Sequence, residues 1–125
     1  MGTNYEFWAN GILPPNVKRV PPAMLLERKL VFKYHIRLSL RHKNDDNISI
    51  ETIAVPAKDR RQGVGTMVMN EICDTADEKG WTLQLSVTDG LGTPMRVLIG
   101  WYQRFGFTVV GVRKELPIMK RLPQQ

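Results

Sequence analysis

Two glycines, Gly63 and Gly65, lie where a strand-like stretch of this sequence is followed by a helix-like one. Residues 48–55 predict a strand, and from residue 64 to about residue 79 apolar side chains recur every four positions, which predicts an amphipathic helix. Glycine permits positive φ angles and a close approach of a ligand, and the first amides of a helix are unpaired at the positive end of the helix dipole. This order of elements therefore predicts a site for an anionic group such as a pyrophosphate.

The rest of the sequence alternates between strand-like and helix-like segments. Alternation of apolar and polar residues over 30–40 predicts a half-buried strand, and turn residues at 43–47 predict an antiparallel hairpin with residues 48–55. The other predicted elements are an irregular proline-rich arm over 1–22 pinned by Phe7 and Trp8, a short helix over 23–29, a strand over 82–87, a loop over 89–94, a helix over 95–105 and a closing strand over 108–112. A strand–helix–strand crossover places its two strands parallel in one sheet, so we expect an α/β or α+β fold.

Composition indicates one globular domain and leaves the partner open. The chain has 125 residues, of which 42% are hydrophobic and 24% charged, which suits a single domain over residues 1–125. It has no apolar stretch near the roughly 20 residues that span a bilayer, no secretory signal and only one cysteine, so we expect a cytoplasmic protein without membrane contact. The net charge of +6 favours an anionic partner; nucleic acid is possible, although no nucleic-acid-binding motif indicates it.

Three kinds of phosphate-binding loop compete for residues 60–65, and spacing rejects two of them. A P-loop requires a lysine after its second glycine, but Thr66 follows Gly65 directly. A dinucleotide-binding fingerprint requires a third glycine three positions beyond the second, where Val68 stands.

The third kind of loop fits. Residues 60–65 read Arg-Arg-Gln-Gly-Val-Gly and resemble the Arg/Gln-x-x-Gly-x-Gly/Ala signature of the GNAT family of N-acetyltransferases. Residues 102–107 read Tyr-Gln-Arg-Phe-Gly-Phe and resemble the family's later Tyr-x-x-x-Gly-Phe. The resemblance spans about residues 48–110, the cofactor-binding half of the family's domain. It implies a compact GNAT fold, in which helices flank a central mixed, mostly antiparallel sheet whose parallel strands splay at the cofactor site.

The resemblance also implies the cofactor, acetyl-coenzyme A, as the acetyl donor. In this family the loop and the helix start hold the pyrophosphate, and the strand before the loop gives backbone atoms to the pantetheine arm, which lies like an extra strand between the splayed strands. The residues that match these positions are Ile53, Ala54, Val55, Arg60, Arg61, Gln62, Gly63, Val64, Gly65 and Thr66. The side chains of Lys58, Arg60 and Arg61 either add charge-assisted contacts to phosphate or form a solvated basic loop.

Transfer to an amine requires proton movements that two residues could perform. A lysine-like amine with a pKa of about 10.4 is protonated at neutral pH, so it needs a base or a water relay before it attacks a thioester. By the resemblance Tyr102 donates a proton to the leaving thiolate, although a core tyrosine would look the same in sequence. The candidate base is Glu51, which strand alternation places on one face with Ser49, and which could equally be an exposed strand glutamate. Asp89, or a water relay held by Ser86 or Thr88, ranks below Glu51.

For four other side chains with reactive or aromatic groups, the sequence indicates no catalytic or metal-binding role. His35 and His42 lack further ligand-type residues at suitable spacing, so we expect no metal site. Cys73 lies within the predicted amphipathic helix and fits buried packing better than a nucleophile. Trp101 belongs either to the core or to the wall of a substrate pocket.

The acceptor is the least determined part of the prediction. Met95 stands where many GNAT members have an asparagine that helps to hold the cofactor, and the segment before the hairpin is short and proline-rich. The short segment favours an open acceptor site and a protein lysine or amino terminus as the amine that attacks directly in a ternary complex. A small amine or aminoglycoside is the enzymatic alternative, and a noncatalytic coenzyme A-binding module that holds protein or nucleic acid is the other. Monomer and homodimer both stay open.

Overall fold

The described residues fold around a five-stranded mixed sheet. The structure is a computed structural model that describes residues 20–55, 63–88 and 93–124. Its elements in chain order are α1 (Pro22–Tyr34), β1 (Arg37–His42), β2 (Asn47–Ala54), α2 (Val64–Lys79), β3 (Thr82–Ser86), α3 (Met95–Gln103), β4 (Thr108–Arg113) and β5 (Leu116–Arg121). The strand order is β1-β2-β3-β5-β4, with β2 and β3 parallel and the other neighbours antiparallel. This architecture confirms the predicted fold class, a mostly antiparallel mixed sheet with helices.

The β2–α2–β3 crossover matches the prediction closely. Helix α2 begins after Gly63 and ends before Gly80, both of which adopt the left-handed conformation that glycine favours. Val68, Ile72 and Ala76, spaced four residues apart, are fully buried. The periodic face of the helix therefore packs on the sheet and fixes the position of its first turn.

The prediction of a strand over residues 30–40 was wrong in its first half, because α1 continues through Tyr34. Ala23, Leu26 and Leu30 are buried at the spacings of three and four residues that one face of a helix requires. Phe32, which the alternating pattern placed on a buried strand face, is 84% exposed. The helix ends at His35, which has a φ of 54°, and β1 begins two residues later.

Strand β5 was not predicted, since the sequence pattern ended with the strand over residues 108–112. β5 lies between β3 and β4, which makes β4 an edge strand with six exposed residues. The β4–β5 turn uses positive φ angles of 52° at Lys114 and 67° at Glu115 without a glycine, and Pro117 is unusual within a strand. These residues hid the hairpin from sequence reasoning.

A buried arginine connects α2, the end of α3 and the carboxyl-terminal segment. Arg121, which is 4% exposed, donates hydrogen bonds to both carboxylate oxygens of Asp77 at 2.8 and 3.1 Å, and its Nε donates to the carbonyl of Phe105 at 2.6 Å. The backbone amide of Gln124 donates to Asp77 at 2.8 Å. These bonds hold the turn at Gly106, where φ is 96° and a side chain would meet Gln124. The glycine of the Tyr-x-x-x-Gly-Phe motif thus has a structural reason.

A second polar contact joins the two helices α1 and α2. The hydroxyl of Tyr34 and the ammonium of Lys33 both donate to the carboxylate of Glu71, the latter at 2.8 Å. These bonds hold the pKa of Glu71 below its usual value.

Among the described residues no helix is long and apolar enough to cross a bilayer. The predicted arm over residues 1–22 lies almost entirely outside the described residues.

Candidate functional site

The site is the gap between the two parallel strands. β2 and β3 are paired over three residue pairs, from Asn47 opposite Thr82 to Ser49 opposite Gln84. Beyond these pairs lies a cavity of about 540 Å³. Its described lining comes from β2, the start of α2, the end of β3 and one face of α3: Ile50, Glu51, Thr52, Ile53, Ala54, Val55, Gly63, Gly65, Thr66, Leu85, Ser86, Thr88, Thr93, Val97, Leu98, Trp101 and Tyr102.

One wall of the cavity carries a β-bulge at Glu51. Ser39 lies opposite Thr52 and Leu40 opposite Ile50, so Glu51 has no partner residue on β1. The side chain of Glu51 accepts a hydrogen bond from the hydroxyl of Ser49, and Arg41 Nη2 lies 3.6 Å from its carboxylate. The contact with Ser49 agrees with a shared face, but the bulge interrupts the strict alternation that the sequence suggested. Glu51 is therefore a half-exposed carboxylate at the cavity.

The first turn of α2 forms one end of the cavity. Gly63 precedes the helix with a φ of 75°, and no side chain caps the helix there. The amide of Met67 bonds to the carbonyl of Gly63 at 3.0 Å, while the amides of the three preceding residues lack an acceptor within the helix. Val64, Gly65 and Thr66 thus present the donors that an anion needs. Lys58, Arg60, Arg61, Gln62 and Asp89, which the sequence also proposed, lie outside the described residues.

Helix α3 brings two aromatic side chains to the cavity. The Tyr102 ring makes edge contacts with Phe107 and Trp101 at centroid distances of 5.8 and 5.1 Å. Burial raises the pKa of Tyr102, so its hydroxyl stays protonated at neutral pH. Among the described residues every buried side-chain oxygen and nitrogen has a hydrogen-bond partner, and the Tyr102 hydroxyl has none, so it must be accessible. The accessible hydroxyl belongs to a cavity-lining residue and is available to a ligand.

Sequence reasoning did not select several apolar and hydroxyl residues of the lining. Thr52, Thr93, Val97 and Leu98 all line the cavity. The spacing of Val97, Leu98 and Trp101 on one side of a predicted helix was a signal for a shared face. Ser86 and Thr88, which ranked below Glu51, also line it.

The remaining candidates have structural positions. His42 Nε2 accepts a hydrogen bond from the amide of Ala23 at 3.1 Å, and its ring makes an edge contact with Trp81. His35 is exposed at the end of α1. Burial raises the pKa of Cys73 to about 11, which makes it an unreactive thiol. No metal-binding group of histidine, cysteine, aspartate or glutamate occurs in residues 20–55, 63–88 and 93–124.

The model of the Acetyltransferase (GNAT) family matches residues 35–107, more than half of the chain, including β2, α2, β3 and α3. The chain belongs to the GNAT acetyltransferase family. Search of curated proteins found no match for this GNAT chain.

Solved structures confirm the GNAT fold. Ard1 from Thermoplasma volcanium superposes with a TM-score of 0.58 at 17% identity, over 88% of this chain and 84% of that protein. A GNAT family acetyltransferase from Elizabethkingia anophelis with acetyl-CoA bound gives 0.58 at 15% identity, over 87% and 94%. The ribosomal-protein-S18-alanine N-acetyltransferase from Escherichia coli gives 0.58 at 20% identity, over 70% of this chain and 61% of that enzyme. The chain thus spans less than two thirds of the third protein.

Proposed function

We propose that this GNAT domain is an N-acetyltransferase that moves the acetyl group of acetyl-coenzyme A to a primary amine by direct attack. The observation that carries the proposal is the gap between β2 and β3, which connects the unpaired amides at the start of α2 with Glu51 and Tyr102. An anion site, a cleft beside a strand edge and two proton-transfer groups are what this reaction requires.

The described residues fit the donor. The helix amides of Val64, Gly65 and Thr66 suit the diphosphate, and the free edge of β2 over Ile53 and Ala54 suits an arm that contains amides. The cavity of about 540 Å³ is within the usual range of ligand sites. Acetyl-coenzyme A, when bound, supplies a thioester as the acetyl source.

Two side chains perform the proton movements in this proposal. Glu51 is the one acidic residue among the described lining residues, and its contacts with Ser49 and Arg41 orient its carboxylate. It accepts a proton from the acceptor amine, directly or through a water, so that the neutral amine can attack. Tyr102 donates its hydroxyl proton to the leaving sulfur, because its raised pKa keeps that proton in place until a thiolate forms.

The proposed acceptor is a lysine or amino terminus of a protein. The Glu51 side chain is 40% exposed, so a residue presented on another macromolecule could reach it without entering an enclosed pocket. One neighbour of similar fold is named for a protein substrate, the ribosomal-protein-S18-alanine N-acetyltransferase. Another, Arabidopsis thaliana Naa50, is in complex with a bisubstrate analogue, CoA-Ac-MVNAL. Mass spectrometry of a lysate incubated with the protein and labelled acetyl-coenzyme A would identify the acceptor.

Cofactor binding at the helix start can be tested with Gly65→Glu. A Cβ at Gly65 would make ordinary contacts, the nearest being 3.5 Å from Trp101, so the variant should fold. Its carboxylate would occupy the position of the diphosphate and repel that group. We expect calorimetry to show acetyl-coenzyme A binding about 50-fold more weakly than in the wild type. Gly65 is a better position than Gly63, where the positive φ would strain any side chain.

The matched control is Gly111→Glu. Gly111 lies on the exposed edge strand β4 with no atom within 4 Å of an added Cβ, so the same charge change should leave binding intact. Equal binding by Gly65→Glu and the wild type would place the cofactor elsewhere. Absence of binding by the wild type at millimolar acetyl-coenzyme A would overturn the proposed function.

A further inference from the structure

The indole of Trp101 packs against the start of α2, at the cofactor end of the cavity. From α3 its ring extends toward the start of α2, with Cζ2 3.5 Å from a Cβ position on Gly65, and Val55 Cγ2 is 3.7 Å from the same position. Edge contacts with Tyr102 and Phe105, at centroid distances of 5.1 and 5.0 Å, hold the ring. A side chain packed in this way presents its polar atom in a fixed direction.

The polar atom of this ring is an unused hydrogen-bond donor. Trp101 Nε1 makes no hydrogen bond to any described residue, and within the described parts of the chain no buried side-chain nitrogen lacks a partner. The Nε1 atom is therefore accessible, and Trp101 lines the cavity. The ring atoms nearest to Gly65 are Cζ2 and Cη2, at 3.5 and 3.8 Å from its Cβ position. Cζ2 is bonded to the ring carbon that carries Nε1, so the N–H lies two bonds from the edge that contacts the helix start. The donor thus lies close to the helix start, on a residue that lines the same cavity as Ile53 and Ala54 of β2.

We infer that the Trp101 indole N–H binds a carbonyl oxygen of the pantetheine arm of acetyl-coenzyme A, an inference that rests on the proposed function. The diphosphate already has the amides of the first turn of α2 as donors. An amide-containing arm that passes from that turn to β2 needs donors of its own, because each buried carbonyl without a partner lowers affinity. Trp101 is at this passage, and its ring also gives the arm an apolar wall. Trp101 is therefore a cofactor-binding residue as well as a packing residue.

Trp101→Phe tests this assignment by calorimetry with three probes. Phenylalanine removes the N–H but keeps an aromatic ring for contact with Tyr102 and Phe105. Because a neutral hydrogen bond is worth a few-fold in affinity, we expect acetyl-coenzyme A and S-acetylpantetheine to bind about three- to tenfold more weakly. Adenosine 3′,5′-bisphosphate, which lacks the arm, should bind equally to both proteins. Replacement of Trp101 by 3-benzothienylalanine keeps the shape of the two rings without the N–H, so it should show the same loss. Wild-type affinity in that replacement would overturn the inference.

The indole proton itself can be observed by ¹⁵N-resolved NMR. The Trp101 resonance is the one missing in Trp101→Phe, and Trp81, which is 3% exposed, provides an internal reference. Acetyl-coenzyme A should shift the Trp101 proton downfield, and adenosine 3′,5′-bisphosphate should leave it unchanged. An equal shift with the bisphosphate would move the contact to the phosphates and refute the pantetheine assignment. If acetyl-coenzyme A fails to bind the wild type, the proposed function fails; if it binds but Trp101 does not respond, only this inference fails.

Discussion

Asp77→Ala should lower the free energy of unfolding by about 3 kcal/mol, because it leaves the buried Arg121 guanidinium without its counter-charge. Asp77 also accepts the amide of Gln124, so the carboxyl-terminal segment loses a contact as well. The expected fall in melting temperature is roughly 10 °C for a domain of this size. Chemical denaturation followed by circular dichroism would measure the free energy directly.

Two controls separate the ion pair from general damage to α2. Asp74→Ala changes an exposed aspartate of the same helix and should cost less than about 0.5 kcal/mol. The arginine lowers the pKa of Asp77 below 3.8, so the pair should contribute fully above that pH and lose its contribution as the pH falls through the lower, folded-state pKa. The wild type and Asp77→Ala should therefore converge in stability in strong acid. A difference that stays constant down to that pH would show that the charge pair is not the cause.

Tyr102→Phe should lower kcat between about 100- and 1,000-fold, because the leaving thiolate would lose its proton donor. The substitution keeps the ring that contacts Trp101 and Phe107, so the melting temperature and the affinity for acetyl-coenzyme A should change little. Rates of labelled acetyl transfer, measured at saturating donor, would show the effect in kcat.

Tyr34→Phe is the matched control, since it removes a hydroxyl that bonds to Glu71 between α1 and α2 and does not line the cavity. It should leave kcat unchanged. Because burial raises the pKa of Tyr102 above its ordinary value of 10.0, the wild-type rate should not decline between neutral pH and pH 9 through loss of this proton. A Tyr102→Phe enzyme with the wild-type rate would remove Tyr102 from the mechanism.

The elements that sequence periodicity predicted well are those whose ends are marked by glycine or by other turn residues. Helix α2 has the buried four-residue repeat and a glycine at each end, and the hairpin before it has turn residues in the expected place. The strand prediction for residues 30–34 failed because a short alternation of apolar residues also fits the face of a helix that extends from Pro22. Strand β5 was missed because the β4–β5 turn has Lys114 and Glu115 at its positive-φ positions, where glycine or asparagine would have indicated a hairpin.

The candidate site could be predicted where a motif marks it. The loop glycines, the end of β2 and Tyr102, which the resemblance assigned to the cofactor site, all line the same cavity. Features that depend on distant pairing gave no signal: the bulge at Glu51 requires the register of β1, and the Arg121 pair requires a contact between residues 44 positions apart. Trp101 was left between core and pocket wall, and it turns out to serve both.

Because β2 and β3 are paired over three residue pairs, the sheet consists of two smaller sheets, one of two strands and one of three, that are joined by this short region of pairing. A donor molecule that is hydrogen-bonded to both strands would replace the backbone pairing that β2 and β3 lack in the gap. The two smaller sheets would then move as one rigid body. The rigidity of the sheet would then increase with the fraction of protein that holds the donor. At a free donor concentration of about 100 times Kd, binding adds about 2.7 kcal/mol to the free energy of unfolding. Departure of the spent donor would loosen the sheet again, so each catalytic cycle would include one stiffening and one softening of the domain.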